Sequence, residues 1–359
     1  MLRTLVAVSF LAVLPLAGAC AQEPPPAAPE QPWVVYAGDH GPAAGKRVVF
    51  VTGDEEYRSE QGMPQLARIV ARLGARCTVL FAIDPASGAI DPDVRTNIPG
   101  LEALDDADLL VLFTRFRDLP DEQMQHVVDY VESGRPIVAL RTATHAFAFD
   151  QHPKFARWSW NSKDWDGGFG RQVLGETWIA HHGAHGSQSQ RGVVAPGAAE
   201  HPILRGIASG AVWDPADVYA VRLPLPDGCE PLLLGQVVDG MTPDAPALPA
   251  PGPGEQRKDL NEPMMPIAWT RAFRAPNGVT ARVFTTTLGS AQAFAQAGTR
   301  RLLVNACLWA MQLDAAITPD LDVAIAGTFA PTPFGFGKAT KGVRPAELRW
   351  SPADERPAK

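Results

Sequence analysis

Three histidines, His181, His182 and His185, fall within five residues of each other in the stretch GETWIAHHGAHGSQSQRG, residues 175–192. They stand at i, i+1 and i+4, so the first and last would share a face if the segment were helical, although Gly183 and Gly186 favour a loop. Two such imidazoles joined by His145 or a carboxylate would make a three-ligand site for a divalent metal such as zinc, manganese or iron. One coordination position would stay open for chemistry. Without a metal, the same side chains would hydrogen-bond a sugar or stand in solvent.

A second set of reactive residues appears where apolar runs stop. KRVVFVTG, 46–53, breaks into Asp54, Glu55, Glu56, Tyr57 and Arg58. The run 109–113 breaks into Thr114, Arg115, Phe116, Arg117 and Asp118, and the run 136–140 into Arg141, Thr142, Thr144 and His145. Arginines from three such ends could hold a polyol or an anionic group through forked hydrogen bonds. Alternatively they pair with Asp54, Glu55, Glu56 and Asp118 and satisfy only one another. Thr142 stands at the strand-to-helix position where α/β hydrolases and class I amidotransferases carry Ser or Cys. With neither residue there, and no flanking glycines to tighten the turn, a covalent mechanism is not expected.

These ends matter because of the elements that carry them. The apolar runs 46–53, 77–83, 109–113 and 136–140 read as buried strands. Between them, Met63, Leu66, Ile69, Val70 and Leu73 recur at helical spacing before Gly74. Met124, Val127, Val128 and Val131 do the same between Pro120 and Gly134. This alternation predicts an α/β fold with a doubly wound, mostly parallel sheet of flavodoxin-like type, whose strand carboxyl ends face one crevice. Segments 219–223, 232–238, 266–270 and 282–287 read as strands extending or covering the sheet, and 299–313 as a helix packed into the body. Residues 242–254 read as a Pro/Gly/Ala loop. The glycines of FGFG, 334–337, suggest a strap over the surface.

With 46% hydrophobic and 20% charged residues, the 359-residue chain can bury one large core or two modest ones. A net charge of -7 and no basic run argue against nucleic acid or an anionic membrane as partner and favour a small ligand. Residues 1–21 read as an export signal: Arg3, the apolar run 5–16, then Ala19-Cys20-Ala21, too short to span a membrane. Periplasmic or extracellular location follows, and Cys20 leaves lipidation open. Residues 22–45 are a Pro/Ala-rich tether and lead-in, with order expected from about Trp33. Cys77, Cys229 and Cys307 form neither a zinc motif nor a disulfide framework, although one disulfide among them is left open.

Collectively the chain resembles the ThuA-like (trehalose utilisation) family, a branch of the class I glutamine amidotransferase-like fold without the cysteine nucleophile. The resemblance rests on GDEEYRSEQ (53–61), LLVLFTRFRDLPDEQ (109–123), GRPIVALRTATHAF (134–147), LGETWIAHHGAHG (174–186), EHPILRGI (200–207), WDPADVY (213–219), PIAWTR (266–271) and RVFTTTLGSAQAF (282–294). It implies one domain over 46–314, with an irregular tail, 315–359, packed on it. Carried over by position, Glu56, His145, His182, His201, Asp217 and Tyr219 share a pocket. His145, Glu56 and Asp217 are the implied catalytic groups, and Tyr57, Arg58, Arg115, Arg141, Thr142, His201 and Tyr219 the substrate contacts. Arg141 and Ser290 stand where family members often carry histidine.

The resemblance further implies carbohydrate catabolism on a disaccharide, a glycoside or a keto-sugar derivative, without a nucleotide cofactor. Arginines and a metal would polarise a carbonyl or hydroxyl while His145 or Glu56 moves the adjacent proton. A non-catalytic sugar-binding module and an interaction scaffold are the alternatives. The sequence leaves a homo-oligomer open.

Overall fold

The structure is a computed structural model that describes residues 30–355. The expected export signal with Cys20, and residues 22–29 of the tether, lie outside the described residues. In chain order the elements are β1 (Trp33–Ala37), β2 (Arg47–Gly53), α1 (Ser59–Arg72), β3 (Arg76–Leu80), β4 (Leu109–Thr114), α2 (Asp121–Glu132) and β5 (Ile137–Leu140). There follow β6 (Ala180–His182), β7 (Ser189–Val194), β8 (Val212–Asp214), β9 (Val218–Ala220), β10 (Cys229–Val238), β11 (Met265–Arg274), β12 (Thr280–Thr286) and α3 (Ala297–Ala310). Short 3-10 turns punctuate the loops.

Ten strands form one sheet in the order β1-β3-β2-β4-β5-β12-β11-β10-β7-β8. The five from β3 to β12 are parallel neighbours, as an α/β doubly wound fold requires. β1 closes one edge antiparallel to β3, and β11, β10, β7 and β8 form an antiparallel wing on the other. Side-chain alternation along a strand explains why the parallel block reads as continuous apolar sequence. Val48 and Phe50 join the cluster under α1 and α3, whereas Val49 and Val51 join the cluster under α2. Both faces of β2 are therefore covered.

The helix boundaries follow local chemistry. α2 starts after Pro120, carries Asp121 and Glu122 in its first turn, and is followed by Gly134 at φ +76°, a backbone state that glycine adopts without strain. α1 buries Met63, Leu66, Ile69 and Val70 and is followed by Gly74 at φ +106°. Segments 232–238, 266–270 and 282–287 extend the sheet within β10, β11 and β12. The segment 219–223 does not: β9 pairs instead with β6 in a separate two-stranded sheet. Strand β3 also ends at Leu80, and Ile83 makes only an isolated bridge to Ile90.

The tail lies along α1, where Gln61 meets Thr332 and Arg68 donates to the Leu348 carbonyl. Cys77, Cys229 and Cys307 are free thiols, so no disulfide forms among them, and Cys77 and Cys307 are fully buried core residues.

Candidate active site

Among the described residues, three of the four non-glycine residues with positive φ stand just beyond the carboxyl ends of β2, β4 and β5: Arg58 at 63°, Phe116 at 49° and Arg141 at 46°. Such backbone is costly for a residue with a Cβ, and it persists where surrounding contacts over-determine it. Those contacts are present. The buried Asp54 carboxylate accepts from the backbone N–H of Glu56 and Tyr57 and from the Thr142 hydroxyl, lashing the end of β2 to the end of β5. Phe116 N–H and Arg117 N–H donate to the carbonyls of His145 and Ala146, lashing β4 to the same turn.

The arginines divide by partner. Glu55 pairs with both Arg115 and Arg117; Arg117 is fully buried and also donates to the carbonyls of Pro92 and Val94. Burial, partly offset by Glu55 and Asp54, brings the Arg117 guanidinium down to about 10. For these two, internal pairing is what the structure contains. Arg141 is also fully buried, with its guanidinium 4.4 Å from the Tyr57 ring centre and 3.7 Å from that of Tyr219. It donates to Tyr57 Oη at 3.0 Å, to the carbonyls of Thr287 and Asp217, and to Asp217 Oδ1 at 3.0 Å. Arg141 therefore fixes Asp217 rather than reaching a ligand.

Asp217 precedes β9, facing β6, and gathers the histidines. His181 Nδ1 meets its Oδ2 at 2.6 Å and His185 Nδ1 meets its Oδ1 at 3.0 Å, while His185 Nε2 lies 3.1 Å from Glu56 Oε1. Ligand atoms of His181, His185 and Asp217 all lie within 4.8 Å of one another. The helix that would bring His181 and His185 together is replaced by a short strand and a turn. His182, expected among the metal ligands, turns the other way because neighbouring strand residues face opposite sides. It is buried, with Nε2 2.8 Å from the Leu260 carbonyl.

Electrostatics sharpen this group. Burial pushes the Asp217 carboxyl up, but hydrogen bonds from His181 and His185 and the charge of Arg141 outweigh it and hold the group well below the ordinary carboxylate range. The hydrogen bond to Asp217 raises His185 against its own desolvation, with the Asp217 and Glu56 charges adding to the rise. Burial, then the charge of Asp54, raises Glu56. His145 is pushed far down by burial and by Arg115, Arg141 and His181, so it is neutral.

Aromatic rings pack around these groups. His145 packs among Phe116, Trp178 and Tyr219; Trp160 bridges Phe116 and Trp178; Phe334 from the tail lies against Tyr57 and His185. The structure thus brings together Glu56, Tyr57, Arg115, Arg141, His145, His181, His185, Asp217 and Tyr219. Four other candidates are engaged elsewhere. Arg58 is buried against the Glu55 and Gly335 carbonyls, and the Thr142 hydroxyl is committed to Asp54. His182 faces Leu260. His201 sits beside Trp309 in a separate hollow with Arg282, at the amino end of β12 and so away from the carboxyl-end cleft. Its placement follows from its local sequence, since Nδ1 accepts from Ile203 N–H and caps the short turn that Pro202 begins. Ser290 is likewise structural: its hydroxyl donates to Asp214 Oδ1 at 2.5 Å.

Sequence reasoning missed the rings of Phe116, Trp160, Trp178 and Phe334. Three tryptophans within residues 155–165 and the FGFG segment are the available signals, but nothing in their spacing says that they converge.

A family model described as trehalose utilisation, ThuA, matches residues 47–310. The chain belongs to the ThuA family. No curated protein matches it. Among solved structures, one described as ThuA-like from Bacteroides uniformis is 17% identical, with 80% of this chain and 100% of that chain covered and a TM-score of 0.48. Another, from Parabacteroides merdae, is 14% identical, covering 74% and 90% with a TM-score of 0.43. The ThuA match spans every residue of the histidine–carboxylate group but stops before the tail that carries Phe334. Among the described residues, no helix is long and apolar enough to cross a membrane.

Proposed function

We propose that this chain is a sugar-processing enzyme of carbohydrate catabolism, acting on a disaccharide, a glycoside or a keto-sugar derivative. The observation that carries the reading is the chain Asp217–His185–Glu56, packed among aromatic rings at the carboxyl edge of the parallel strands. Asp217 orients His185 through Nδ1, and Arg141 orients Asp217. Glu56, 4% exposed, is the group that takes or gives the proton at a sugar hydroxyl or beside a carbonyl, with His185 Nε2 as its exchange partner. Neutral His145, enclosed by Phe116, Trp178 and Tyr219, is the further imidazole that the reading assigns to substrate contact. Such a site supports lyase, isomerase or hydrolase chemistry without a covalent nucleophile. The amino-terminal signal pattern favours a periplasmic or extracellular place of action, soluble or lipid-anchored at Cys20.

The test is turnover of a panel of glucose disaccharides, glycosides and their keto derivatives, followed by mass spectrometry of products. Product from the wild type that falls at least a hundredfold in Glu56→Gln supports the reading. Saturable binding with no product would instead make the chain a sugar-binding module.

One observation favours a metal-assisted form of the same chemistry, namely the convergence of His181, His185 and Asp217. Two imidazole nitrogens and a carboxylate oxygen suit zinc, manganese or iron, and Arg141 would orient the carboxylate from behind. A cation there would polarise a substrate oxygen, leaving proton movement to Glu56. Elemental analysis of the wild type against a His181→Ala, His185→Ala double variant decides it: stoichiometric metal lost in the variant supports the site, and metal in neither removes it.

A further inference from the structure

Phe336 is 56% exposed, the most exposed of the large hydrophobic side chains among the described residues, yet it is not loose. Its ring lies 5.0 Å from the Arg115 guanidinium, which is 4.6 Å from the Phe116 ring on the cleft wall and held by Glu55. The segment that carries it is fastened to the site: Gly335 N–H donates to the Glu56 carbonyl at 2.8 Å, Arg58 donates to the Gly335 carbonyl, and Phe334 N–H donates to Gln292 at 3.3 Å. Gly335 has φ +133°, which a residue with a Cβ rarely adopts. Phe334 therefore packs on His185 and Tyr57 at the reacting end, and Phe336 stands two residues further out. That step is at most about 7 Å of chain, close to the length of one hexose ring.

We propose that Phe336 is the platform of a second sugar subsite, so that the substrate has at least two rings. The reacting ring sits over Glu56 and His185, and the next ring lays its apolar C–H face on Phe336. An aromatic ring held in water beside a charge gains by being covered, and the C–H face of a pyranose is the complementary surface. Trp178, whose ring packs on His145 and His181, has an Nε1 shut from solvent without a hydrogen-bond partner, a donor for the reacting ring. Because the tail lies beyond residue 310, where the family match ends, this subsite belongs to the chain's own extension. The inference rests on the sugar reading above and narrows it from sugars in general to two-ring glycosides.

Calorimetric titration of the full chain with trehalose, other glucose disaccharides, the keto derivatives of these, and glucose tests it, comparing wild type, Phe336→Ala and Phe336→Trp. The expected result is that wild type prefers one disaccharide over glucose, that the ratio of the two affinities falls about tenfold in Phe336→Ala, and that Phe336→Trp restores it. An unchanged ratio in Phe336→Ala overturns the subsite while leaving the sugar reading intact. Wild-type protein that binds none of these sugars overturns both.

Discussion

Asp214 and Asp217 are three residues apart, both buried, and they have opposite surroundings. Asp214 accepts from the backbone N–H of Ala216, Gly289 and Ser290 and from the Ser290 hydroxyl, so both oxygens are saturated by groups that do not titrate near neutrality. Asp217 faces two histidines and a fixed arginine, and through His185 it reaches Glu56. The first staples the end of β12 to the end of β8. The second anchors a protonatable chain at the carboxyl ends of the strands. What separates the two carboxylates is the chemistry of their partners, since burial and position are nearly the same.

The largest expected effect on stability therefore belongs to Asp214. Asp214→Ala leaves buried N–H groups at Gly289 and Ser290 unpaired and should cost about 3–5 kcal/mol of unfolding free energy by urea titration. Asp217→Asn keeps the shape and one acceptor, so it should cost no more than about 2 kcal/mol while lowering turnover at least a hundredfold. If the two variants behave alike in both measurements, the distinction between the residues fails.

A third carboxylate shows what the absence of partners does. Both oxygens of Glu60, in the first turn of α1, are shut from solvent with no partner from another residue, and burial raises its carboxyl to about 7 despite Arg58 nearby. The folded state then binds this proton more tightly than the unfolded chain, whose value is 4.5. Its contribution to stability is full below pH 4.5 and is lost as pH rises towards 7 and beyond. Glu60→Gln should raise stability at pH 8 by on the order of 2 kcal/mol and leave it little changed at pH 4.5. Denaturant midpoints at the two pH values check this, and an equal shift at both would contradict it.

The smallest expected effect is at His201. Lying beside Trp309 and away from the carboxyl-end cleft, His201→Ala should change kcat and KM by no more than about twofold, because its ring makes one local cap and touches none of the reacting groups. A hundredfold loss would return it to the site.

How far the sequence could be read follows from these particulars. Buried parallel strands announce themselves as apolar runs, so β2, β4 and β5 and their polar ends were legible, and with them Glu56, Arg141 and His145. The antiparallel wing was only partly so. β7, SQRGVV, carries polar residues and a glycine and borrows its stability from β10 rather than from its own pattern. β1 at the far edge is half exposed and short. The roles of the arginines were not legible at all, since whether Arg115 meets Glu55 or a ligand depends on distances between segments sixty residues apart. The split between His181 and His182 turned on a three-residue strand that only its pairing with β9 creates. Asp217 entered through family position alone, because nothing local distinguishes it from Asp214.

The proposed function has Asp217, His185 and Glu56 move a proton on a sugar. The direct measurement is the rate of product formation from the disaccharide and keto-glycoside panel by wild type, Glu56→Gln and His201→Ala, each checked for a native unfolding transition. Wild-type and His201→Ala rates within about twofold of each other, with Glu56→Gln at least a hundredfold slower, is the predicted result. Full turnover by Glu56→Gln would contradict it.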